Sequence, residues 1–268
     1  MQFRVREPEA PLVPLLASIP HCGTEVPGEI AARFASAEVS ALPDTDWHLH
    51  DLYDFVPELG ARTIFARYSR YVVDLNRPAD GHALYPGREE TSVVPAQTFS
   101  GEPVYRAGEE PGPEETRARI EHYWRPYHDR LREELDRLRE RFGYALLFDA
   151  HSIQSRVPRL FEGELPGFML GDVDGASAST PLSRAILAVQ EASGISFEPN
   201  HPFKGGYITR CFGRPESGIH AVQLEMSQRL YMAEGAPFKY LEARAQELRP
   251  WLRRMLRSYV EAAGASLS

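Results

Sequence analysis

The sequence predicts an α/β fold, with a mostly parallel central sheet flanked by helices. Three observations predict it. Short apolar runs of strand length alternate along the chain with stretches of helical period. Those runs end in polar clusters, as parallel strands do where ligands sit beyond their carboxyl ends. The composition is that of a globular chain able to bury a sizeable core, with 268 residues, 43% of them apolar and 25% charged. One domain spanning residues 1–268 is expected.

The elements follow in order. Leu12–Ile19 reads as a buried strand ending at Pro20-His21. Asp46–Leu59 has helical spacing, with Leu49, Leu52, Tyr53 and Val56 on one side. Arg62–Ala66 and Tyr71–Leu75 read as two strands, the second closing on Asn76-Arg77-Pro78. Residues 80–113 are rich in Gly, Pro and Glu and read as a long loop of functional or disordered type. Glu114–Phe142 is the clearest helix, its apolar residues recurring at steps of three and four, with Gly143 as C-cap. Tyr144–Phe148 is a strand running into Asp149-Ala150-His151-Ser152. Ser183–Ala192 reads as a helix ended by Gly194, and Gly206–Arg210 as a strand. Ile219–Leu224 is a strand ending at Glu225, and Lys239–Ala262 a last helix that Pro250 should bend.

Charge narrows the function classes. Thirty cationic against 38 acidic residues give a formal charge of −8, which disfavours a nucleic-acid or anionic-membrane surface. Two cysteines, Cys22 and Cys211, cannot form a disulfide framework for a chain of this length. The N-terminal apolar run is short and broken by Pro14, unlike a signal peptide. No apolar stretch approaches the roughly 20 residues of a membrane span. A cytoplasmic protein is expected, without a nucleic-acid or membrane partner; the sequence leaves its oligomeric state open.

His21 in SIPHCG, Asp46 in DTDWH and His151 in DAHS stand at or near strand ends and form a His/His/Asp set suited to zinc or another divalent transition metal. A lone histidine at such a position is usually structural, so the coincidence of three carries the reading. Asp44 rivals Asp46 as the carboxylate ligand, and His48 lies near enough to be a ligand or substrate contact. Asp149, two residues before His151, points to the same side of a strand and can orient an imidazole. Glu225, ending HAVQLE, is the candidate general base. Cations for an anionic substrate are Arg67, Arg70, Arg77, Lys204 and Arg210, with Asn76 beside Arg77. They are singled out from the other arginines because they stand at strand ends or in Gly-rich segments.

SIPHCG, DTDWH, SRYVVDLNRP, LYPG, DAHSI, PRLFEG, FKGGYITR and HAVQLEM stand in the order typical of N-formylglutamate deformylases, and the chain resembles that family from about residue 12 to about residue 235. The resemblance implies a zinc exopeptidase (carboxypeptidase)-like fold. It also implies hydrolysis of N-formyl-L-glutamate to formate and L-glutamate in histidine degradation. It puts metal at His21, Asp46 and His151, Glu225 as base, and Asn76-Arg77 in the place of the pair that holds a substrate carboxylate in such exopeptidases. Three segments depart from the family pattern: Cys22 stands in place of serine, and residues 91–95 and 200–202 differ. They bear on the identity of the N-acyl substrate. Another hydrolase of acidic N-acyl amino acids, of aminoacylase or carboxypeptidase type, or a non-catalytic dicarboxylate-binding domain, are the alternatives.

Overall fold

A computed structural model of the protein describes residues 1–84, 87 and 90–267; Tyr85 and Pro86 of the LYPG segment lie outside the described residues. The strands are β1 (Phe3–Arg6), β2 (Leu15–Ile19), β3 (Arg62–Ala66), β4 (Ala145–Ile153), β5 (Phe168–Gly171), β6 (Phe197–Pro199) and β7 (Ile219–Ser227). They form one sheet in the order β1-β3-β2-β4-β7-β5-β6. β3, β2, β4 and β7 pair in parallel, as do β5 and β6. The antiparallel pairings are β1 with β3 and β5 with β7. The expected mostly parallel sheet is observed.

The helices are α1 (Gly28–Ala31), α2 (Ala37–Ser40), α3 (Leu49–Leu52), α4 (Pro113–Arg119), α5 (Arg125–Phe142), α6 (Thr180–Ser193), α7 (Tyr207–Phe212) and α8 (Glu242–Ser266). They cover both faces of the sheet. Leu16, Ile64, Leu147 and Ala221 pack on one face against Tyr127, Leu131 and Leu135 of α5. Leu15, Ala17, Phe148 and Leu224 pack on the other against Ile186 of α6 and Leu252 and Tyr259 of α8. Every residue of β4 and β7 is buried, which is why β4 opens as a continuous apolar run and β7 opens apolar apart from His220, rather than alternating. Asp149, His151, Gln223 and Glu225 break the pattern towards the carboxyl ends, on the α5 face. No helix among the described residues is long and apolar enough to cross a membrane.

Several expectations change. Tyr71–Leu75 is not a strand: Val72 N bonds Ser69 O, and Asn76 N bonds the Asp74 carboxylate, so turns satisfy this backbone. Gly206–Arg210 is not a strand either but the start of α7; Ile208 N donates to Asn76 Oδ1, a tertiary contact that outweighs the β-branched Ile208 and Thr209. The long helix expected over Asp46–Leu59 reduces to α3 and a 3₁₀ turn at Val56–Leu59, because His48 adopts a left-handed conformation (φ 61°) and Pro57 interrupts the hydrogen-bond ladder. β4 and β7 run past their expected ends, so Asp149, His151 and Glu225 lie inside strands. Gly143 and Gly194 end α5 and α6 in left-handed geometry, as expected. The helix expected over Glu114–Phe142 is α4 and α5 joined by a π-turn at Ile120–Trp124.

Candidate active site

A cavity of about 450 Å³ opens at the carboxyl ends of β2, β4 and β7. His21 follows β2, His151 projects from β4, and Asp46 arrives on the segment before α3. One ligand atom from each lies within 4.8 Å of the others. Asp46 Oδ2 is 3.3 Å from His151 Nδ1 and 3.9 Å from His21 Nδ1. Ligands held at about 2.0–2.2 Å around a tetrahedral ion stand roughly 3.3–3.6 Å apart, so the set could hold a metal ion once its wider pairs draw together. Each imidazole is oriented from behind. His21 Nε2 donates to Asp74 Oδ1 at 2.7 Å, and His151 Nε2 to Asp149 Oδ2 at 2.9 Å. Both Nδ1 atoms are thereby turned towards Asp46, which is the outer support that metal-binding histidines use. These residues are all buried. Asp44 is engaged elsewhere: its carboxylate accepts from Tyr71 Oη and Phe99 N, both at 2.8 Å.

Electrostatics follow from that burial. Burial lowers the His21 pKa, and the Arg70 charge adds to this. His151 feels the same burial, but the Asp149 carboxylate overrides it and the pKa ends well above the ordinary value. Burial also opposes ionisation of Asp74, yet Arg70 and His21 hold its carboxyl well below the usual range. Glu225 lies beside His151 in the β4–β7 register and is 9% exposed at the cavity. Burial raises it to about 8, opposed by His151 and Arg70 and reinforced by Asp46 and Asp149.

The expected cations separate into two groups. Arg70, Asn76 and Arg77 line the cavity. Arg70 donates to Asp74 Oδ2 at 2.6 Å and packs over Phe99, its guanidinium carbon 4.6 Å from the ring centre. One aspartate thus joins the His21 imidazole to this arginine. The turn carrying Asn76 and Arg77 is held from the α5 side, where Trp124 Nε1 donates to Arg77 O and His128 Nε2 to Leu75 O. The π-turn before α5 ends at this tryptophan. Asn76 Oδ1 accepts from Ile208 N, so its amide nitrogen faces His151, 3.1 Å from Nε2. Gly206 N donates to Gln223 Oε1. A Cβ on Gly206 would collide with the Asn76 amide, so glycine is required there.

Arg67, Lys204 and Arg210 lie outside the cavity lining. Arg67 pairs with Glu25 at 2.7 Å, Lys204 with Asp174 at 2.7 Å, and Arg210 Nε donates to Gly205 O at 2.8 Å. Strand-end or Gly-rich context was their only sequence signal, and partners distant in sequence decide where each fork points. His48 bonds Phe238 O and is not part of the His21/Asp46/His151 group. Cys22 is buried and donates weakly to Ile19 O. Sequence reading overlooked Asp74, Gln223 and Arg159, all inside recognised segments. For Asp74 the signal was spacing, two residues before Asn76 as Asp149 is before His151. Arg159 lines the cavity and donates to Gln97 Oε1 at 2.7 Å. Two of the departing segments reach the cavity through Thr91, His201 and Pro202.

Comparisons with known proteins identify the family. The family model for N-formylglutamate amidohydrolase matches residues 13–232. An N-formylglutamate deformylase of Pseudomonas putida is 49% identical over 247 residues, 92% of each chain. One from Pseudomonas aeruginosa is 50% identical over 247 residues, again 92% of each. The crystal structure of an N-formylglutamate amidohydrolase from Ralstonia eutropha superposes with a TM-score of 0.85 at 25% identity, covering 98% of this chain and 99% of that one. The match spans His21, His151, the Asn76 turn and Glu225 alike, and this chain belongs to the N-formylglutamate amidohydrolase family.

Proposed function

We propose that this protein hydrolyses N-formyl-L-glutamate to formate and L-glutamate, as a cytoplasmic step of histidine degradation. The observation that carries the reading is the meeting, in one cavity, of the His21/Asp46/His151 set, Glu225 and the Asn76–Arg77 turn. In this reading His21, Asp46 and His151 hold zinc or another divalent transition metal. When bound, the ion supplies Lewis-acid polarisation and lowers the pKa of water. Glu225 takes a proton from the attacking water and returns it to the departing amine. Asn76 and Arg77 hold a substrate carboxylate. Arg70 keeps positive charge beside the reacting carbonyl, with its orientation fixed by Asp74. The test is formate release from N-formyl-L-glutamate by metal-supplied enzyme, with one glutamate formed per formate. Absence of formate at any divalent-metal loading removes the reading.

Arg77→Ala is expected to raise KM for N-formylglutamate while leaving bound metal in place. Loss of a charge-assisted hydrogen bond costs about 1.5–3 kcal/mol, or roughly 10–150-fold in affinity. Steady-state kinetics together with metal analysis check it, and an unchanged KM removes Arg77 from the carboxylate site.

A further inference from the structure

The cavity is not polar throughout. Phe99, Leu160, Phe161 and Phe203 are half-buried and pack on a small apolar cluster of Ile153, Val157, Leu165 and Met169, separate from the two core layers. All four, with Ile153, also line the cavity. Sheet register orders the site along one direction. Asp149 lies beside Gln223, His151 beside Glu225, and Ile153 beside Ser227. Gln223 holds Gly206, which abuts Asn76. Successive positions along β4 and β7 therefore carry the Asn76 turn, the paired imidazole and carboxylate, and the apolar wall.

An N-acyl glutamate with a carboxylate on Asn76 and Arg77, and its amide carbon between His151 and Glu225, directs its acyl group towards Ile153. A formyl group ends there in a hydrogen atom and does not reach across Leu160, Phe161 and Phe203; Phe99 is covered by Arg70. Apolar surface gathered in a concave site marks a place where ligand surface is buried. The volume of about 450 Å³ lies within the range of about 300–1,000 Å³ found for pockets of drug-sized ligands. Both observations leave room for an acyl group longer than formyl.

We propose that the same site also hydrolyses N-acyl-L-glutamates carrying short linear alkanoyl chains, with the chain lying on the wall of Ile153, Leu160, Phe161 and Phe203. The proposal rests on the amidohydrolase reading above. Water adds across the C–N bond, its oxygen to the acyl carbon and a hydrogen to the nitrogen, giving the alkanoate and glutamate. A wall that serves only to exclude water from a formyl substrate gives no gain with chain length, and this separates the two roles.

The experiment compares N-formyl-, N-acetyl-, N-butanoyl- and N-hexanoyl-L-glutamate. It reads kcat/KM on the metal-loaded enzyme and dissociation constants by calorimetry on metal-loaded Glu225→Gln. Affinity is expected to rise about two- to fourfold per methylene from acetyl to hexanoyl, the gain of burying that much apolar surface. Phe161→Ala and Leu160→Ala are each expected to flatten this slope. Affinity that falls with chain length, or a slope unchanged in both variants, overturns the proposal. Formate release with rejection of every longer acyl group sinks the wall alone, whereas no release from any member of the series sinks the amidohydrolase reading with it.

Discussion

Glu225→Gln lowers kcat by about 10²–10⁴-fold, the usual contribution of a general base, with metal content and substrate affinity retained. Glutamine is nearly isosteric, so the β4–β7 pairing beside His151 survives. Its amide cannot take a proton from water at neutral pH. A second readout follows from the same burial. A carboxyl raised to about 8 in the folded protein, from 4.5 as the ordinary value, costs stability above pH 4.5, and the cost grows until pH 8. Removing it should stabilise the metal-free protein at pH 7 by up to about 3 kcal/mol, seen as a raised Tm. Loss of activity with a gain in stability is the signature of a strained functional group. Turnover within a few-fold of wild type removes Glu225 as the base, and loss of metal reassigns it as a ligand.

His21→Ala and His151→Ala lose divalent metal and turnover together, and chelation of the wild type does the same reversibly. Losing an orienting partner behind a metal ligand typically costs about 10–100-fold in metal affinity, so Asp74→Asn should fall in that range and deletion of either histidine beyond it. Asp46→Asn should lose more metal than Asp44→Asn, because Asp46 faces both imidazoles while Asp44 is bonded to Tyr71 and Phe99. Metal analysis of the purified variants ranks them. Full activity in metal-free wild type ends the metal reading, and a reversed ranking moves the carboxylate ligand to Asp44.

The alternation of apolar runs with helical stretches was enough for the fold class, because secondary-structure period and burial are local properties of the chain. His21, Asp46, His151 and Glu225 were legible for a related reason. His21, His151 and Glu225 each interrupt or close an apolar stretch and Asp46 opens a stretch of helical spacing, and an ionisable group buried there needs a partner, a metal or a reaction to offset its burial. The short strands β1, β5 and β6 escaped notice; they span four, four and three residues, too few for a period to register. Tyr71–Leu75 and Gly206–Arg210 misled for the opposite reason: β-branched and aromatic residues favour a strand, but bonds to Asp74 and Asn76 fold these segments into a turn and a helix. The choice among arginines also belonged to the tertiary structure. Arg70, which lines the cavity, meets the buried Asp74, while Arg67, three residues earlier, meets Glu25 outside it. A guanidinium on a long flexible stem goes where its counter-charge lies. The sequence by itself determined which chemical groups this protein has and which segments bury them. Only the folded chain decided which groups meet, because a pairing such as His21 with Asp74 joins residues 53 positions apart and depends on through-space distance.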